Sequence, residues 1–333
     1  MKRKKQPFFY LTVSLLLFIL ITASLSTFIF LHLPPSPLAS NPSLSPVPSR
    51  PSFRDLLPHP SGNSTNNQQP PLITLIAVGD IMLGRYCNVQ MLKQKDFRYP
   101  FLKTADLTSS ADIAFGNLEA PLVENCPTTP TGMIFCARPE AIQGLKFAGF
   151  DILSLANNHI LNYDQKGLEQ TQSFLSSSNI LYTPLSSSNN LAIKQVNNTK
   201  FGFLSFDLVT YPQTSPLSLI SQISPTVDIL IVSLHWGVEY QKTPTSQQKD
   251  LAHQIIDSGA KVILGHHPHV IQPVEEYKGG LIFYSLGNFV FDQPWSEETK
   301  RGTMAKIIFQ GKNIQFYELI PIYIDHPCQP QPS

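Results

Sequence analysis

Side chains that could bind a metal or move a proton collect in short stretches of the chain, each directly after an apolar segment. Nine histidines are present, and five of them fall in three of these stretches: 156–159 (ANNH), 233–237 (SLHWG) and 265–269 (GHHPH). Loops at the carboxyl ends of strands are the usual place for a site in an α/β protein. This clustering is the main functional signal in the sequence.

The densest stretch holds three histidines within four residues. His267 and His269 are spaced H-x-H after a predicted strand, so both rings can turn toward one metal, and Pro268 stiffens the loop between them. A surface loop with fortuitous histidines is the alternative. His235 ends the most apolar predicted strand, where a lone histidine is more often a structural residue.

Two amides and an imidazole follow another predicted strand. Such polar side chains are unfavourable in an apolar core, so their position indicates a functional role. The oxygen of Asn157 or Asn158 can ligate a divalent cation, and the adjacent His159 can protonate a leaving group. The alternative for the asparagine pair is a capping or turn role.

Carboxylates follow the first two predicted strands. Asp80, in the stretch VGDIMLGR, can reach a metal, and Arg85 can donate two parallel hydrogen bonds to an anionic oxygen. A turn aspartate with a surface arginine is the alternative for this pair. Glu119, in the stretch GNLE, offers a second carboxylate beside an asparagine amide.

The elements that position these residues alternate between strands and helices, which is typical of an α/β domain. Apolar runs predict buried strands, and apolar periodicity predicts helices with Thr245 as the N-cap and Gly259 as the stop of the last one. The predicted strands are 72–78, 111–115, 151–155, 201–206, 227–234, 261–264 and 281–285, and the predicted helices are 139–148, 165–175 and 245–258.

The N-terminal part has a different composition. Residues 8–33 contain no formally charged group and would cover roughly 39 Å as a helix, enough to span a hydrocarbon core of about 30 Å. Lysines and arginines at 2–5 keep the N-terminus in the cytoplasm by the positive-inside rule, so the rest of the chain is predicted to lie outside. A cleaved signal peptide is the competing interpretation.

Proline, serine and asparagine dominate residues 34–71, which include eleven prolines and form a predicted disordered stalk. The predicted organisation is therefore a basic tip and transmembrane signal anchor (1–33), the stalk (34–71), a working domain (72–325) and a C-terminal tail (326–333).

Charge divides along the same boundary. The 333 residues carry a net charge of +1, but 1–71 hold six basic residues and one acidic residue (+5), which leaves 18 basic and 22 acidic residues (−4) for the remainder. A charged fraction of 14% excludes a charge-rich disordered protein. Because the basic excess sits at the N-terminus, a nucleic-acid-binding domain is not supported.

The four cysteines leave several states open. Outside the cytoplasm, a disulfide between Cys126 and Cys136 is plausible, because it would close a short proline- and threonine-rich insertion. Cys87 and Cys328 can pair only if the C-terminal tail returns near the first strand. Four free thiols are the alternative, and no C-x-x-C indicates a structural zinc site.

Taken together, the motifs resemble the bacterial capsule-synthesis CapA family, associated with poly-gamma-glutamate production, within the calcineurin-like metallophosphoesterase superfamily. The resemblance covers about 74–292. It implies an α/β fold in which two sheets pack face to face with helices outside, a four-layer α/β/β/α sandwich. The motifs in chain order are GDIMLGR, GNLEAPL, ANNH, LHWGVEY, GHHPHVIQ and YSLGNFVFD.

The resemblance also implies residue roles and a cofactor. One or two divalent metals (Mn, Fe or Zn) would lower the pKa of bound water toward about 7 and stabilise charge on a phosphate. His159 would be the catalytic general acid, and Arg85 would contact the substrate anion. The implied metal ligands are Asp80, Glu119 (in place of the bridging carboxylate), Asn158, His235, His267 and His269.

The sequence departs from the superfamily pattern at three positions. Met82 stands where a histidine usually follows the first aspartate, which removes one imidazole from the first metal site. Asn162 stands where the family often has an aspartate, so this position offers no carboxylate to orient His159. His266 has no matching role and is left out of the predicted ligands.

Two functional classes follow. The first is a membrane-anchored extracytoplasmic hydrolase, expected by resemblance to phosphoesterases, in the synthesis of capsule, exopolysaccharide or poly-gamma-glutamate. The second is a non-catalytic factor that binds the polymer or a membrane synthase or export component, with a vestigial or structural metal site. The membrane, through the N-terminal helix, and the capsule polymer are the expected partners, and no nucleic acid is expected.

Overall fold

The computed structural model describes residues 69–185 and 191–333, which form two β-sheets with helices on their outer faces. The larger sheet has the strand order β14-β13-β12-β1-β2-β3-β4, and β11 pairs with β1 off this path. Its strands are β1 (Leu72–Ile81), β2 (Ile113–Leu118), β3 (Ile152–Ser154), β4 (Leu181–Thr183), β11 (Asn288–Val290), β12 (Arg301–Gln310), β13 (Asn313–His326) and β14 (Gln329–Pro332).

The smaller sheet has six strands in the order β5-β6-β7-β8-β10-β9. Strands β6, β7, β8 and β10 run parallel to one another, whereas β5 pairs antiparallel with β6 at one edge and β9 pairs antiparallel with β10 at the other. The strands are β5 (Ala192–Val196), β6 (Thr199–Asp207), β7 (Ile229–His235), β8 (Val262–His266), β9 (Val274–Tyr277) and β10 (Gly280–Phe283).

Six α-helices and three 3-10 helices lie in the described residues. The longest is α4 (Asp164–Ser177), and α6 (Ser246–Asp257) begins with a capping box in which the side chains of Thr245 and Gln248 each bond the other's backbone. The helices are α1 (Arg85–Gln94), α2 (Ala105–Ser109), α3 (Ile142–Phe147), α4 (Asp164–Ser177), α5 (Leu217–Ile223) and α6 (Ser246–Asp257), with 3-10 helices at Tyr99–Phe101, Pro139–Ala141 and Ser224–Thr226.

Apolar side chains on the facing surfaces of the two sheets form the central core. Leu75 and Phe115 of the larger sheet and Phe203 and Phe283 of the smaller sheet belong to one buried cluster. The rings of Phe115 and Phe203 stack with their centroids 5.6 Å apart. Alternate residues of each strand point to opposite faces, so the other half of the strand residues must be covered by helices.

Two further clusters provide that cover. Val78 of β1 packs in a cluster with Met91 of α1 and Leu175 of α4. Val232 of β7 packs in another with Ile255 of α6. The order of layers is therefore helix, sheet, sheet, helix, which matches the predicted sandwich.

Several predicted elements differ from the structure at their ends. The first strand extends three residues further, to Ile81, and β2 runs to Leu118, so both strands carry polar motif residues. The predicted helix at 139–148 is a 3-10 helix followed by α3. Residues 326–333, predicted as a tail, contain β14, which pairs with β13, so this stretch belongs to the larger sheet.

Both disulfides that the sequence leaves open are formed. Cys126 pairs with Cys136, and Cys87 of α1 pairs with Cys328 beside β14. Because β14 returns the C-terminus to the first helix, the condition for the long-range pair is met. All four cysteines of the chain are paired.

The predicted transmembrane helix at 8–33 and the stalk at 34–71 lie almost entirely outside the described residues. Among the residues that are described, no helix is long and apolar enough to cross a membrane.

Candidate functional site

Polar motif residues from both sheets meet at the carboxyl ends of the parallel strands. Asp80 is at the end of β1, Asn117 is near the end of β2, and His235 ends β7. The loops that follow β2, β3 and β8 add Glu119, 157–159 and 267–269 to the same place. Because parallel strands end at a common edge, five separate stretches of sequence supply one cleft.

Two glycines allow this edge to pack closely. A Cβ at Gly79 would lie 2.0 Å from the carbonyl oxygen of Gly287, and one at Gly265 would lie 2.0 Å from that of Tyr284. Only glycine fits where two backbones approach this closely. The approach at Gly79 also lets the next residue, Asp80, donate its backbone N–H to Gly287 at 3.0 Å.

Asn117 holds the two carboxylates at the centre of the site. Its Nδ2 donates to Oδ1 of Asp80 at 2.9 Å and to Oε2 of Glu119 at 3.2 Å. Its Oδ1 accepts from Nδ2 of Asn157 at 3.0 Å, which fixes the orientation of the amide. All four side chains are buried. Two asparagines thus act as the frame of the site, a role that the motifs alone did not assign.

Two imidazoles also contact the carboxylate of Asp80. Nδ1 of His266 lies 3.1 Å from Oδ1, and Nδ1 of His269 lies 3.2 Å from Oδ2. The loop reaches this position because His267 and His269 adopt positive φ angles of 93° and 57°. Such angles are costly for residues other than glycine and are found where a functional site requires them.

His235 and Asn158 meet across the two sheets. Nε2 of His235 lies 2.9 Å from Oδ1 of Asn158, which follows β3. His235 also belongs to a group with Asp80 and Glu119 in which one possible ligand atom from each residue lies within 4.8 Å of the others.

A second group of the same kind contains Glu239, His267 and His269. Glu239 lies four residues after His235 and is half-buried, whereas the histidines are buried. Glu239 was not among the predicted ligands, although it belongs to the motif LHWGVEY. The two groups together offer carboxylate and imidazole ligands for more than one cation.

The chemistry of these groups fits a divalent metal. Carboxylate oxygens and neutral imidazoles are ligands for Mn, Fe and Zn. Three buried atoms of the site have no hydrogen-bond partner, namely Oε1 of Glu119, Nε2 of His266 and Nδ1 of His267. Buried polar atoms are nearly always satisfied, so unpartnered ones beside a set of ligands fit a site built for a cation.

The pKa shifts of the site follow from burial and from the neighbouring charges. Burial raises the pKa of Asp80, but the contacts with His266 and His269 outweigh it and hold that pKa well below its usual range. Burial and the nearby charge of Asp80 raise the pKa of Glu119 well above its usual range. Burial lowers the pKa of His267 to about 4 and that of His235 well below its usual range. Neutral imidazole is the form that binds a metal.

His159 lies beside this centre with a fixed orientation. Its Nδ1 is 3.0 Å from Oδ1 of Asn162, and the same oxygen accepts the backbone N–H of Phe135 at 2.6 Å. Because that atom is an acceptor, Nδ1 of His159 must carry the proton, which leaves Nε2 to exchange a proton with a ligand. Burial lowers the pKa of His159 to about 4.

Arg85 is engaged within the protein. Its guanidinium forms an ion pair with Asp292 and donates from Nη1 to the carbonyl oxygen of Gly132 at 3.0 Å. The side chains of Arg85 and Asp292 are only 9% and 6% exposed. Arg85 therefore binds other parts of the chain, and its predicted contact with a substrate anion stays a prediction.

The structure thus brings the predicted residues Asp80, Glu119, Asn158, His235, His267 and His269 to one cleft with His159 beside them. His266 was left out of the prediction but contacts Asp80 directly. Their roles as ligands stay predictions.

Comparison with known proteins places the chain in a family. A family model described as bacterial capsule synthesis protein PGA_cap matches residues 74–293. The chain belongs to this family. The match confirms the family resemblance predicted from the motifs, and its limits agree with the predicted 74–292.

Two named relatives illustrate the family. The chain is 32% identical over 279 residues to the capsule biosynthesis protein CapA of Bacillus anthracis, covering 76% of this chain and 67% of that protein. It is 31% identical over 277 residues to the PGA biosynthesis protein CapA of Bacillus subtilis, covering 77% and 72%.

Among solved structures, the fold is similar to that of a phosphatase from Mycoplasma pneumoniae, with a TM-score of 0.50 and 16% identity over 76% of this chain and 94% of that chain. A hypothetical protein from Thermus thermophilus gives a TM-score of 0.52 and 16% identity over 75% and 98%. At these identities the likeness shows the fold alone.

Proposed function

We propose that this protein is a metal-dependent phosphoester hydrolase of capsule, exopolysaccharide or poly-gamma-glutamate synthesis, anchored in the cell membrane by residues 8–33 with its domain outside the cytoplasm. The names of the two CapA relatives support the pathway, and the likeness of the fold to that of the Mycoplasma pneumoniae phosphatase supports the reaction class.

One observation carries the catalytic part of the proposal. Two groups of possible ligands, one around Asp80 and one around Glu239, meet at the carboxyl ends of the strands, and three buried atoms there have no partner. Three of the eight unpartnered buried side-chain atoms in the described residues thus lie among possible metal ligands, where a bound cation would satisfy them.

In this proposal, Asp80, Glu119, Asn158, His235, His267, His269 and Glu239 would hold one or two cations. A divalent cation, when bound, supplies a nucleophilic water at neutral pH and stabilises the charge on phosphoryl oxygens. Asn117 and Asn157 keep the carboxylates in place by direct hydrogen bonds. His159, with its ring oriented by Asn162, would pass a proton from Nε2 to the leaving oxygen. Because burial lowers the pKa of His159 to about 4, the negative charge of a bound phosphate would first have to raise that pKa so that Nε2 takes up a proton from solvent.

The location rests on separate observations. A basic cluster before the apolar segment 8–33 favours a cytoplasmic N-terminus. Both disulfides support an oxidising compartment for the domain, because disulfides persist outside the cytoplasm and are rare within it.

An assay of the full-length protein in detergent, loaded with Mn, Fe or Zn, tests the reaction class. The wild type should hydrolyse p-nitrophenyl phosphate or bis-p-nitrophenyl phosphate, and Asp80→Asn should abolish turnover. Asp106→Asn is the matched control, since Asp106 is exposed on α2, which precedes the amino end of β2, whereas the site lies at the carboxyl ends of the strands. Equal rates for Asp80→Asn and the control would contradict the proposal.

One observation favours the second candidate, a non-catalytic factor that binds the polymer or a synthase partner. His159 is oriented by the neutral amide of Asn162, and a neutral partner stabilises the charged imidazolium less than a carboxylate would. A wild type that binds metal but shows no turnover against any phosphoester would support this candidate.

A further inference from the structure

The loop closed by the Cys126–Cys136 disulfide reaches into the site with one side chain. Phe135 is 2% exposed, whereas its neighbours Met133 and Ile134 are 67% and 64% exposed. Its ring stacks on the imidazole of His159 with centroids 3.8 Å apart and planes inclined by 22°. We infer that Phe135 is a positioning residue through which this loop holds His159 in its working orientation.

A hydrogen bond from the backbone of the same residue supports this role. The N–H of Phe135 donates to Oδ1 of Asn162 at 2.6 Å, and this oxygen also lies 3.0 Å from Nδ1 of His159. The ring of Phe135 fixes the plane of the imidazole, and its backbone fixes the acceptor that selects the tautomer. Displacement of the loop would remove both constraints at once.

Arg85 secures the other face of the Phe135 ring. Its guanidinium carbon lies 4.4 Å from the ring centroid, and the stacked imidazole of His159 already covers one face. Arg85 also donates to Gly132 in the same loop and pairs with Asp292. The residue predicted to contact substrate therefore stabilises the loop that orients His159.

The disulfide limits how far this loop can move. Cys136 is the next residue after Phe135, and Ala137 forms backbone hydrogen bonds with Pro121 and Val123, both at 2.9 Å. The backbone bonds of Ala137 fix the chain just after Phe135, and the disulfide ties Cys136 to Cys126 at the start of the insertion. Reduction of the disulfide would free the Cys126 end of the insertion and loosen the stack of Phe135 on His159.

The inference deepens the proposed function, because it concerns the group proposed to move the proton. Its test includes a measurement that needs no turnover. In full-length protein labelled with ¹⁵N-histidine, the ring nitrogens of His159 report the tautomer directly. The wild type should show one tautomer, with the proton on Nδ1.

Phe135→Leu keeps an apolar side chain but removes the stack. We expect mixed tautomers of His159 and a loss of about tenfold in kcat with little change in KM, since small displacements of a catalytic group are costly. Phe135→Tyr keeps the ring and should restore the tautomer signal and the rate. Ring shifts of His159 that are identical in the wild type and in Phe135→Leu would overturn the inference.

A pair of disulfide variants provides a second arm in case Phe135→Leu does not fold. Cys126→Ser with Cys136→Ser should change the His159 signals and lower kcat. Cys87→Ser with Cys328→Ser removes the disulfide that closes a much longer loop. This pair should lower Tm more than the Cys126/Cys136 pair does, yet leave the His159 signals unchanged. Equal effects of both pairs on the His159 signals would contradict the inference.

The two proposals can fail separately. If the wild type turns over no phosphoester while Phe135→Leu still disturbs the tautomer, the positioning role stands and the hydrolase proposal falls. If the wild type is active and neither Phe135→Leu nor the Cys126/Cys136 variant moves the His159 signals, the hydrolase proposal stands and the positioning role falls.

Discussion

Nε2 of His235 lies 2.9 Å from Oδ1 of Asn158. His235 ends a strand of the smaller sheet and Asn158 follows a strand of the larger sheet, so this contact joins the two layers at the site. Both atoms are of types that ligate divalent cations. The contact shows that the fold brings two predicted ligands to hydrogen-bonding distance before any ion is considered.

The role of His159 predicts a dependence on the leaving group. For His159→Ala we expect a loss of about 10²- to 10⁴-fold in kcat/KM with an alkyl phosphoester, because its leaving oxygen needs a proton. The loss should be much smaller with a nitrophenyl ester, whose leaving group departs as a stable anion. Steady-state kinetics with both ester types provide the measurement.

His326→Ala is the matched control, because His326 is exposed near the C-terminus. It should leave both rates unchanged. An equal loss with both esters in His159→Ala would mean that His159 acts in some other way than as a proton donor.

The two disulfides should differ in their effect on stability. The chain-entropy model gives about 3 kcal/mol for a loop of roughly ten residues and about 5 kcal/mol for one of roughly 240. Sequence separations are 10 for Cys126–Cys136 and 241 for Cys87–Cys328. Urea unfolding of the two double-serine variants should therefore show the larger loss for the Cys87–Cys328 pair. The reverse order would indicate that Cys126–Cys136 stabilises through contacts rather than through chain entropy.

Substitution of Gly79 should destabilise the protein. An added Cβ would lie 2.0 Å from a backbone oxygen of Gly287, which cannot move without disturbing β11. We expect Gly79→Ala to lower the free energy of unfolding by about 1–3 kcal/mol or more.

Gly116→Ala serves for comparison. Its added Cβ would meet the ends of three side chains, the nearest being Cδ1 of Ile81 at 2.6 Å, and side-chain ends can shift. The loss should be smaller than for Gly79→Ala in the same unfolding experiment. A Gly79→Ala protein as stable as the wild type would show that the close approach at Gly287 is not required.

The sequence predicted which residues gather at the cleft better than it predicted the residues that hold them there. Asp80, Glu119, His235 and the paired histidines were identifiable because metal-ligand types follow apolar strands. Asn117 was not identifiable, because no characteristic sequence spacing marks an asparagine that bonds two carboxylates. Glu239 was missed because it lies in a loop that the fold, not the strand pattern, turns toward His267.

Local signals also explain which elements were missed. The helix α1 buries polar Asn88 and Gln90 together with Cys87 and Met91, so its inward face lacks an apolar period. The short strands β4 and β11 have three residues each, too few for an alternating pattern. The strand β14 has the sequence Gln-Pro-Gln-Pro, and proline is rare in strands, so its composition did not predict its pairing with β13.

The departures from the superfamily pattern become clearer in the structure. Met82 is fully buried and its sulfur lies 3.1 Å from the backbone nitrogen of Gly84, so it serves the turn rather than the cleft. His266, which has no role in the motif comparison, places an imidazole against Asp80. The first carboxylate therefore has an imidazole partner despite the methionine at position 82.

Metal content tests the central claim most directly. Full-length protein purified without chelator should contain at least about one Mn, Fe or Zn ion per chain by elemental analysis. The variant Asp80→Asn should lose the metal, whereas Asp106→Asn should keep it. Metal at about 100 times its Kd adds about 2.7 kcal/mol of stability, which corresponds to a rise in Tm of roughly 5–10 °C for a domain of this size. A wild-type protein with no bound metal and an unchanged Tm on addition of Mn, Fe or Zn would contradict the account.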